Sequence, residues 1–345
     1  MLCITIFILF LLFFPIGMFF KTYRSFFKKA WSCTFRRITL KPCDESFGDE
    51  VKNLILGKLF FKFPEFAKFL DKTMAYWAAL FVLISLASLL YVTNAGLNLL
   101  VYDTCNPTSG ESCSLGGEAC GLSSAQSPSL LETISRVPNR FKTWDAKEYI
   151  SESATYYTQY DPLKPIAVEF IDPGCGFCKK LWINIKDAEF ENKYNLTYVL
   201  YPIPQVSTDS GYKFQHSYYI SSILEAIKIG PIPEQINSTL PSDWRLLDKI
   251  FTAKVDHTDL QNAINTLYSK EEVAQIIMNY LKEFGYSDTQ ITEILSLAES
   301  KQVRESLEEQ AIIVTDKLKT VKIPTIVFNG KRYDRVIDEN ILIEQ

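Results

Sequence analysis

The sequence predicts an α/β domain that contains a long helical insertion and is preceded by two transmembrane helices. Two apolar runs without charged residues, 1–20 and 74–92, are each long enough to cross a bilayer. Further along the chain, apolar runs at 166–171 and 196–201 predict buried strands. Between 207 and 300, apolar residues recur at the three-to-four spacing of amphipathic helices. With 345 residues, 47% of them hydrophobic, the chain can form one sizeable core beside the membrane segments.

The N-terminal third predicts a membrane topology. Residues 1–20 have no basic start and no small-residue cleavage site, which favours a retained transmembrane helix over a signal peptide. The following segment, 21–73, is basic, with twelve Lys/Arg against six Asp/Glu. Beyond 74–92, no Lys or Arg occurs before Arg136. The positive-inside rule therefore predicts a two-pass inner-membrane protein whose 21–73 loop is cytoplasmic and whose remainder is extracytoplasmic, in the periplasm.

The rest of the chain is acidic, with 24 Lys/Arg against 34 Asp/Glu, which argues against nucleic-acid binding. Its first part, 93–139, is rich in Ser, Gly and Cys and predicts an extracytoplasmic linker. Three cysteines lie there: Cys105, Cys113 and Cys120. Three thiols cannot all pair, so we expect a small disulfide-closed loop with a leftover thiol, a bond to another chain, or exchange with a redox centre elsewhere. Cys33 and Cys43, in the cytoplasmic loop, are expected to be free thiols.

The motif with the clearest chemistry is Cys175-Gly176-Phe177-Cys178. It follows strand 166–171 and opens a helix-compatible segment, 176–191. Because a helix N-terminus offers unpaired N–H groups and a positive dipole end, we expect the pKa of Cys175 to fall below about 8.5, making it the nucleophile. Cys178, one turn further into the helix, is expected to be the more buried, resolving thiol.

Two other interpretations of this motif are an inert structural disulfide and half of a zinc site. A zinc site needs a second ligand pair, and the only histidines, His216 and His257, do not lie in a ligand-spaced cluster. No metal is therefore predicted.

A second pattern lies near the C-terminus, in residues 320–333 (TVKIPTIVFNGKRY). Ile323-Pro324-Thr325 leads into an apolar run at 326–328, and proline is tolerated at the first residue of a strand. Asn329-Gly330 is a strong two-residue hairpin signal, so 331–336 is predicted as the return strand.

At these motifs the chain resembles the thioredoxin superfamily and, within it, the DsbA-like branch. The resemblance covers 140–345 and rests on the Cys-x-x-Cys, on 323–325, on Asn329-Gly330-Lys331 and on the run 303–310 before them. It implies a thioredoxin-like fold with a helical insertion at about 207–300 and a cis peptide bond before Pro324. The Gly-aromatic pair between the cysteines is more similar to that of DsbC-like isomerases.

The resemblance also implies roles for individual residues. Cys175 is the nucleophile and Cys178 the resolving thiol, and the two form the redox-active disulfide. Glu169, an acidic residue in an otherwise apolar strand, acts as a proton relay; from the residues alone, it could also be a strand residue that reaches the surface. The substrate groove would be formed by five residues: Gly176, Phe177, Ile323, Pro324 and Thr325. No cofactor is implied.

Together these observations predict a membrane-anchored thiol–disulfide oxidoreductase that forms or exchanges disulfides in extracytoplasmic proteins. Its expected partners are proteins with thiols or disulfides and an unidentified membrane or soluble redox partner. A disulfide isomerase or reductase is the first alternative. A membrane-tethered, non-catalytic chaperone or assembly module is an alternative of another class.

Overall fold

The computed structural model describes residues 64–102, 119–121, 129–235, 238–255, 257–320 and 322–344. Contacts divide the chain into two compact units, Met1–Asn94 and Ala95–Gln345. The described residues of the second unit form a four-stranded sheet, two small two-stranded sheets and a block of helices, so the predicted mixed α/β class is confirmed.

The elements are numbered along the described part of the chain. The strands are β1 Cys120–Gly121, β2 Ile166–Ile171, β3 Asn195–Leu200, β4 Lys254–Val255, β5 Thr258–Asp259, β6 Lys322–Ile323, β7 Thr325–Phe328 and β8 Lys331–Tyr333. The α-helices are α1 Pro64–Tyr102, α2 Leu130–Arg136, α3 Gly176–Asp187, α4 Ser217–Ile229, α5 Ser242–Thr252, α6 Leu260–Thr266, α7 Lys270–Glu283, α8 Asp288–Ala298, α9 Lys301–Ile312 and α10 Glu339–Glu344.

The first described helix, α1, contains the predicted second transmembrane segment, 74–92. It carries exposed large apolar side chains, among them Leu83, Leu89 and Leu90. Within the part of the chain that the structure describes, no helix has the combination of length and apolar character required of a membrane span. The predicted span at 74–92 is therefore not supported here, and the predicted span at 1–20 lies outside the described residues.

The central sheet has the strand order β3-β2-β7-β8. Strands β2 and β3 are parallel, whereas β7 is antiparallel to both β2 and β8. Five of the six residues of β2 and all six of β3 are buried, which explains why both strands are apolar runs rather than alternating patterns.

The hairpin between β7 and β8 has the geometry predicted from its sequence. Asn329 and Gly330 both have positive φ, 47° and 72°, as a two-residue type I′ turn requires. A side chain at Gly330 would also bring its Cβ to 3.0 Å from Thr143. The return strand ends at Tyr333, three residues earlier than predicted.

The predicted helical insertion, 207–300, corresponds to α4 to α8, interrupted by the β4–β5 hairpin. The helical region continues through α9 and a π-helical turn, Ile313–Leu318, which joins it to β6. Serine begins two of these helices with a capping box: Ser269 for α7 and Ser287 for α8. The block is joined to α3 by stacking of Trp182 on Trp244 of α5, with ring centroids 5.4 Å apart.

The described residues of the predicted linker, 93–139, contain the end of α1, the strand β1 and the helix α2. Strand β1 is antiparallel to β6, with Cys120 opposite Ile323 and Gly121 opposite Lys322. Cys105 and Cys113 lie outside the described residues, as do Cys33 and Cys43 of the predicted cytoplasmic loop. The linker thus contributes a strand beside the predicted substrate groove, which its composition did not predict.

Candidate active site

The turn between β2 and α3 is held by the carboxylate of Asp172. Its Oδ1 accepts the Gly174 N–H at 2.8 Å and the Ser217 hydroxyl, and its Oδ2 accepts the Ile203 N–H at 2.8 Å. The Asp172 carbonyl accepts the Cys175 N–H at 2.9 Å. These bonds fix the backbone so that Cys175 becomes the N-cap of α3. Sequence analysis missed this role, although Asp before Pro-Gly is a common turn signal.

Helix α6 holds the same turn from its other side. The Gln261 side-chain amide donates to the carbonyls of Pro173 and Cys175, at 2.7 and 3.1 Å. One helical turn later, the Asn265 amide donates to the Gly174 carbonyl at 2.8 Å. All three turn carbonyls therefore have a donor. Neither amide was predicted as a site residue. The only sequence signal for them was their spacing, because side chains four residues apart lie on the same face of a helix.

The cis-proline lies next to Cys175, the predicted nucleophile. The Ile323–Pro324 bond is cis, as the resemblance implies. The Sγ of Cys175 lies 4.0 Å from the Ile323 carbonyl oxygen, and Ile323 is fully buried. The turn after β2 and the loop before β7, which are 148 residues apart in sequence, are thus brought together at one end of the sheet.

The other predicted groove residues differ in how far they are buried. Gly176 is exposed and Phe177 is half-buried against the core. Thr325 is fully buried, and its hydroxyl lies 2.9 Å from the Lys322 carbonyl and 2.8 Å from Asp334 Oδ1. The Thr325 side chain therefore belongs to a network that stabilises the loop before β7, and it does not line an open groove.

Both thiols of the Cys-x-x-Cys motif are fully buried, so the expectation that Cys178 is the more buried of the two is wrong. Burial raises the pKa of Cys175 well above its ordinary value, contrary to the lowering expected at a helix N-terminus. The desolvation of a thiolate is the largest cause, and the hydrogen bond with Cys120, which lowers the pKa, does not offset it. Burial also raises the pKa of Cys178 to about 11, although the Asp172 N–H donates to its sulfur at 3.5 Å.

Glu169 lies on β2 with its side chain fully buried, so the alternative of a surface-reaching side chain is excluded. Neither carboxyl oxygen has a hydrogen-bond partner among the described residues. Desolvation raises the pKa of this carboxyl to about 8. Its negative charge is also among the interactions that raise the pKa of Cys178. The burial and the direction of the shift agree with those expected of a proton-relay residue.

A third thiol, that of Cys120, lies at the same site. Cys120 is buried, with 7% of its surface exposed, and a hydrogen bond joins its side chain to Cys175. This bond, with burial, strongly raises the pKa of Cys120. Exchange between a linker cysteine and a redox centre was one of three predicted alternatives, and spacing alone could not select it. Within the described residues, no cluster of His, Cys, Asp or Glu suits a metal ion.

No protein-family model and no curated protein sequence matches the chain. Among solved structures, it is similar to the thiol-disulfide exchange protein α-DsbA2 from Wolbachia pipientis, with 16% identity over 55% of this chain and 84% of that one, and a TM-score of 0.36. It is also similar to Proteus mirabilis ScsC in a transitional conformation, with 14% identity over 62% and 87% of the two chains and a TM-score of 0.39. A third is MdbA, a thiol-disulfide oxidoreductase from Corynebacterium diphtheriae, with 15% identity over 55% and 87%, and a TM-score of 0.38. The function of this chain is therefore inferred from its own residues.

Proposed function

We propose that this chain is a membrane-anchored thiol–disulfide oxidoreductase that acts on extracytoplasmic proteins through Cys175 and Cys178. The observation that carries the proposal is the position of the Cys175 sulfur, 4.0 Å from the carbonyl that precedes cis-Pro324. Cys175 is also hydrogen-bonded to Cys178. Two thiols in contact, beside a backbone segment able to pair with an extended peptide, are what disulfide exchange with a protein requires.

The exchange follows from thiolate chemistry. With Cys175 and Cys178 joined as a disulfide, a substrate thiolate attacks the sulfur of Cys175, and the Cys175–Cys178 bond breaks as the new bond forms. The leaving Cys178 thiolate takes a proton, because its pKa of about 11 favours the thiol at neutral pH. A second substrate thiolate then attacks the mixed disulfide and releases Cys175. The substrate loses two electrons and two protons, and the enzyme dithiol gains them.

Glu169 is the proposed proton donor and acceptor for Cys178. Its raised pKa, about 8, keeps the carboxyl protonated at neutral pH, so it can donate when the Cys178 thiolate forms. In the reverse direction, the carboxylate accepts the Cys178 proton. A group whose pKa lies near the working pH is suited to both steps.

The raised pKa of Cys175 favours a second candidate, a disulfide isomerase or reductase. Strong oxidants of this chemistry owe their potential to a reduced form that is stabilised, and a depressed thiol pKa is the usual sign of it. Burial has the opposite effect on Cys175. Gly176-Phe177, the pair between the cysteines, supports the same candidate through its similarity to DsbC-like isomerases.

The redox equilibrium of the full-length chain with glutathione tests the function. We expect Cys175 and Cys178 to change oxidation state together, as measured by differential alkylation and mass spectrometry, with the Cys175→Ser variant as control. A reduction potential of about −120 mV would mark an oxidant, and one of about −270 mV would mark a reductant. If the pair does not exchange with glutathione, the enzyme proposal fails and the non-catalytic chaperone takes its place.

The proposed two-pass, periplasmic arrangement rests on the uncharged runs 1–20 and 74–92 and on the basic segment between them. The test is labelling of intact cells with a membrane-impermeant maleimide, using chains that keep a single cysteine. We expect a chain with Cys113 alone to be labelled in intact cells, and one with Cys43 alone to be labelled only after lysis. Equal labelling of both before lysis would contradict the topology.

A further inference from the structure

The groove beside the cis-proline is occupied by a segment of the chain itself. Strand β1 lies antiparallel to β6, with Cys120 opposite Ile323, the residue before Pro324. The Lys213 ammonium donates to the Gly121 carbonyl at 3.2 Å and so ties the strand to the domain. Ala119, Cys120 and Gly121 are all buried. An extended segment added at this edge is the arrangement proposed above for a substrate protein.

Three thiols meet at this point, with Cys175 hydrogen-bonded to the other two. Hydrogen bonds join Cys120 to Cys175 and Cys175 to Cys178, so the Cys175 side chain has two thiol partners. The pairing of Cys120 with Ile323 and the 4.0 Å contact between Cys175 Sγ and the Ile323 carbonyl place both cysteines against the same residue. Thiol–disulfide exchange needs three sulfurs close together, because the attacking, central and leaving sulfurs take part in one step.

We propose that Cys120 is a third redox thiol of this site, presented to Cys175 by strand β1 as an intramolecular substrate. The proposal rests on the proposed oxidoreductase function. In the step, the Cys120 thiolate attacks Cys175 in the Cys175–Cys178 disulfide. The Cys120–Cys175 bond forms, the Cys175–Cys178 bond breaks, and Cys178 leaves as a thiolate. The Cys120 proton passes to Cys178. One disulfide replaces another, with no external oxidant or reductant.

This exchange has two consequences for the site. Substrate proteins must displace β1, so the reduced chain holds its nucleophile covered until a competing strand arrives. The residues of β1 also indicate what the groove accepts: an extended segment with a cysteine opposite Ile323 and small neighbours, here Ala119 and Gly121.

The test traps the Cys120–Cys175 bond in the full-length Cys178→Ser variant, which lacks the thiol that reverses the step. The variant is reduced, oxidised with glutathione disulfide, alkylated and digested without reduction, and the linked peptides are quantified by mass spectrometry. We expect the Cys120–Cys175 peptide to exceed Cys105–Cys175 and Cys113–Cys175 peptides by at least about tenfold, since a positioned thiol reacts at high effective concentration. Adding Cys113→Ser should leave the link in place, and adding Cys120→Ser should abolish it.

A second variant tests the role of the strand without removing either Cys120 or Cys175. Lys213→Met removes the bond to the Gly121 carbonyl and should lower the yield of the Cys120–Cys175 link in the Cys178→Ser background, whereas Lys147→Met, at an exposed lysine, should not. If Cys175 instead accumulates as a glutathione mixed disulfide while Cys120 remains free, the three-thiol site is overturned. The proposed function still stands in that case if Cys175 and Cys178 of the unmodified chain exchange with glutathione. Failure of that exchange overturns both.

Discussion

Glu169 and Asp172 lie three residues apart and both are fully buried, yet the environments of their carboxyl groups differ. Asp172 accepts hydrogen bonds from two backbone N–H groups and one hydroxyl, whereas Glu169 accepts none from the described residues. Desolvation raises both pKa values, to about 6 for Asp172 and about 8 for Glu169, and the hydrogen bonds limit the shift at Asp172. Burial alone does not make a carboxyl a proton relay. The absence of donors keeps its proton available near neutral pH.

The largest expected effect is the loss of stability on replacing Asp172. Asp172→Ala leaves the Gly174 and Ile203 N–H groups and the Ser217 hydroxyl without their acceptor. We expect the free energy of unfolding in urea to fall by roughly 3–5 kcal/mol, since each buried unsatisfied polar group costs about 1–3 kcal/mol. Asp209→Ala, at an exposed aspartate of a nearby loop, should change it by less than about 0.5 kcal/mol. Equal effects of the two substitutions would show that Asp172 does not hold the turn.

Glu169→Gln should increase the free energy of unfolding near neutral pH, whereas Asp172→Ala should decrease it. In the unfolded chain the carboxyl ionises near its ordinary pKa of 4.5, whereas the folded chain keeps the proton up to about pH 8. A raised pKa in the folded state means that stability is full below pH 4.5 and falls as pH rises towards 8, by up to about 1.4 kcal/mol per pH unit. Glu169→Gln removes this loss, so its stability relative to the unmodified protein should increase from pH 4 to pH 8.

Urea unfolding at several pH values measures this difference, and Glu293→Gln, at an exposed glutamate, is the control. Because Asp172 is unchanged in both proteins, its own pH dependence cancels. The same variant should slow exchange with glutathione by at least about tenfold and remove any inflection near pH 8 from the rate profile, if Glu169 moves the Cys178 proton. A flat stability difference across this range would show that the carboxyl is ionised in the folded chain.

Much of this site could be predicted because its signals are local. Strand β2, the start of α3 and the Asn329-Gly330 turn each follow from a short run of residues. The pKa of Cys175 could not be predicted, because its burial depends on contacts made over long sequence separations. The same is true of Cys120, whose pairing with Ile323 joins residues 203 positions apart, and of Gln261, which reaches the turn from the helical block.

Gln261 offers a smaller test of how the turn is held. Gln261→Ala removes the donor of two buried carbonyls, those of Pro173 and Cys175, and we expect a loss of about 1–3 kcal/mol in the free energy of unfolding. Asn262→Ala, at the exposed neighbouring position on α6, is the matched control. If Gln261→Ala costs as much as Asp172→Ala, the bonds to the carbonyls support the turn as much as the carboxylate does, and the contrast between the two acidic residues weakens.

The smallest expected effect concerns Lys179, the charge that follows the motif. Its ammonium lies 2.7 Å from Asp259, whose side chain is half exposed, so its field at the thiols is offset by the partner carboxylate and screened by solvent. Lys179→Gln should therefore change the free energy of unfolding by less than about 0.5 kcal/mol and leave the pH dependence of Cys175 alkylation unchanged. A shift of the alkylation profile to higher pH would show that this lysine stabilises the thiolate. Surface charge would then also set the chemistry of the site. It would act in addition to the burial and hydrogen bonding that distinguish Glu169 from Asp172.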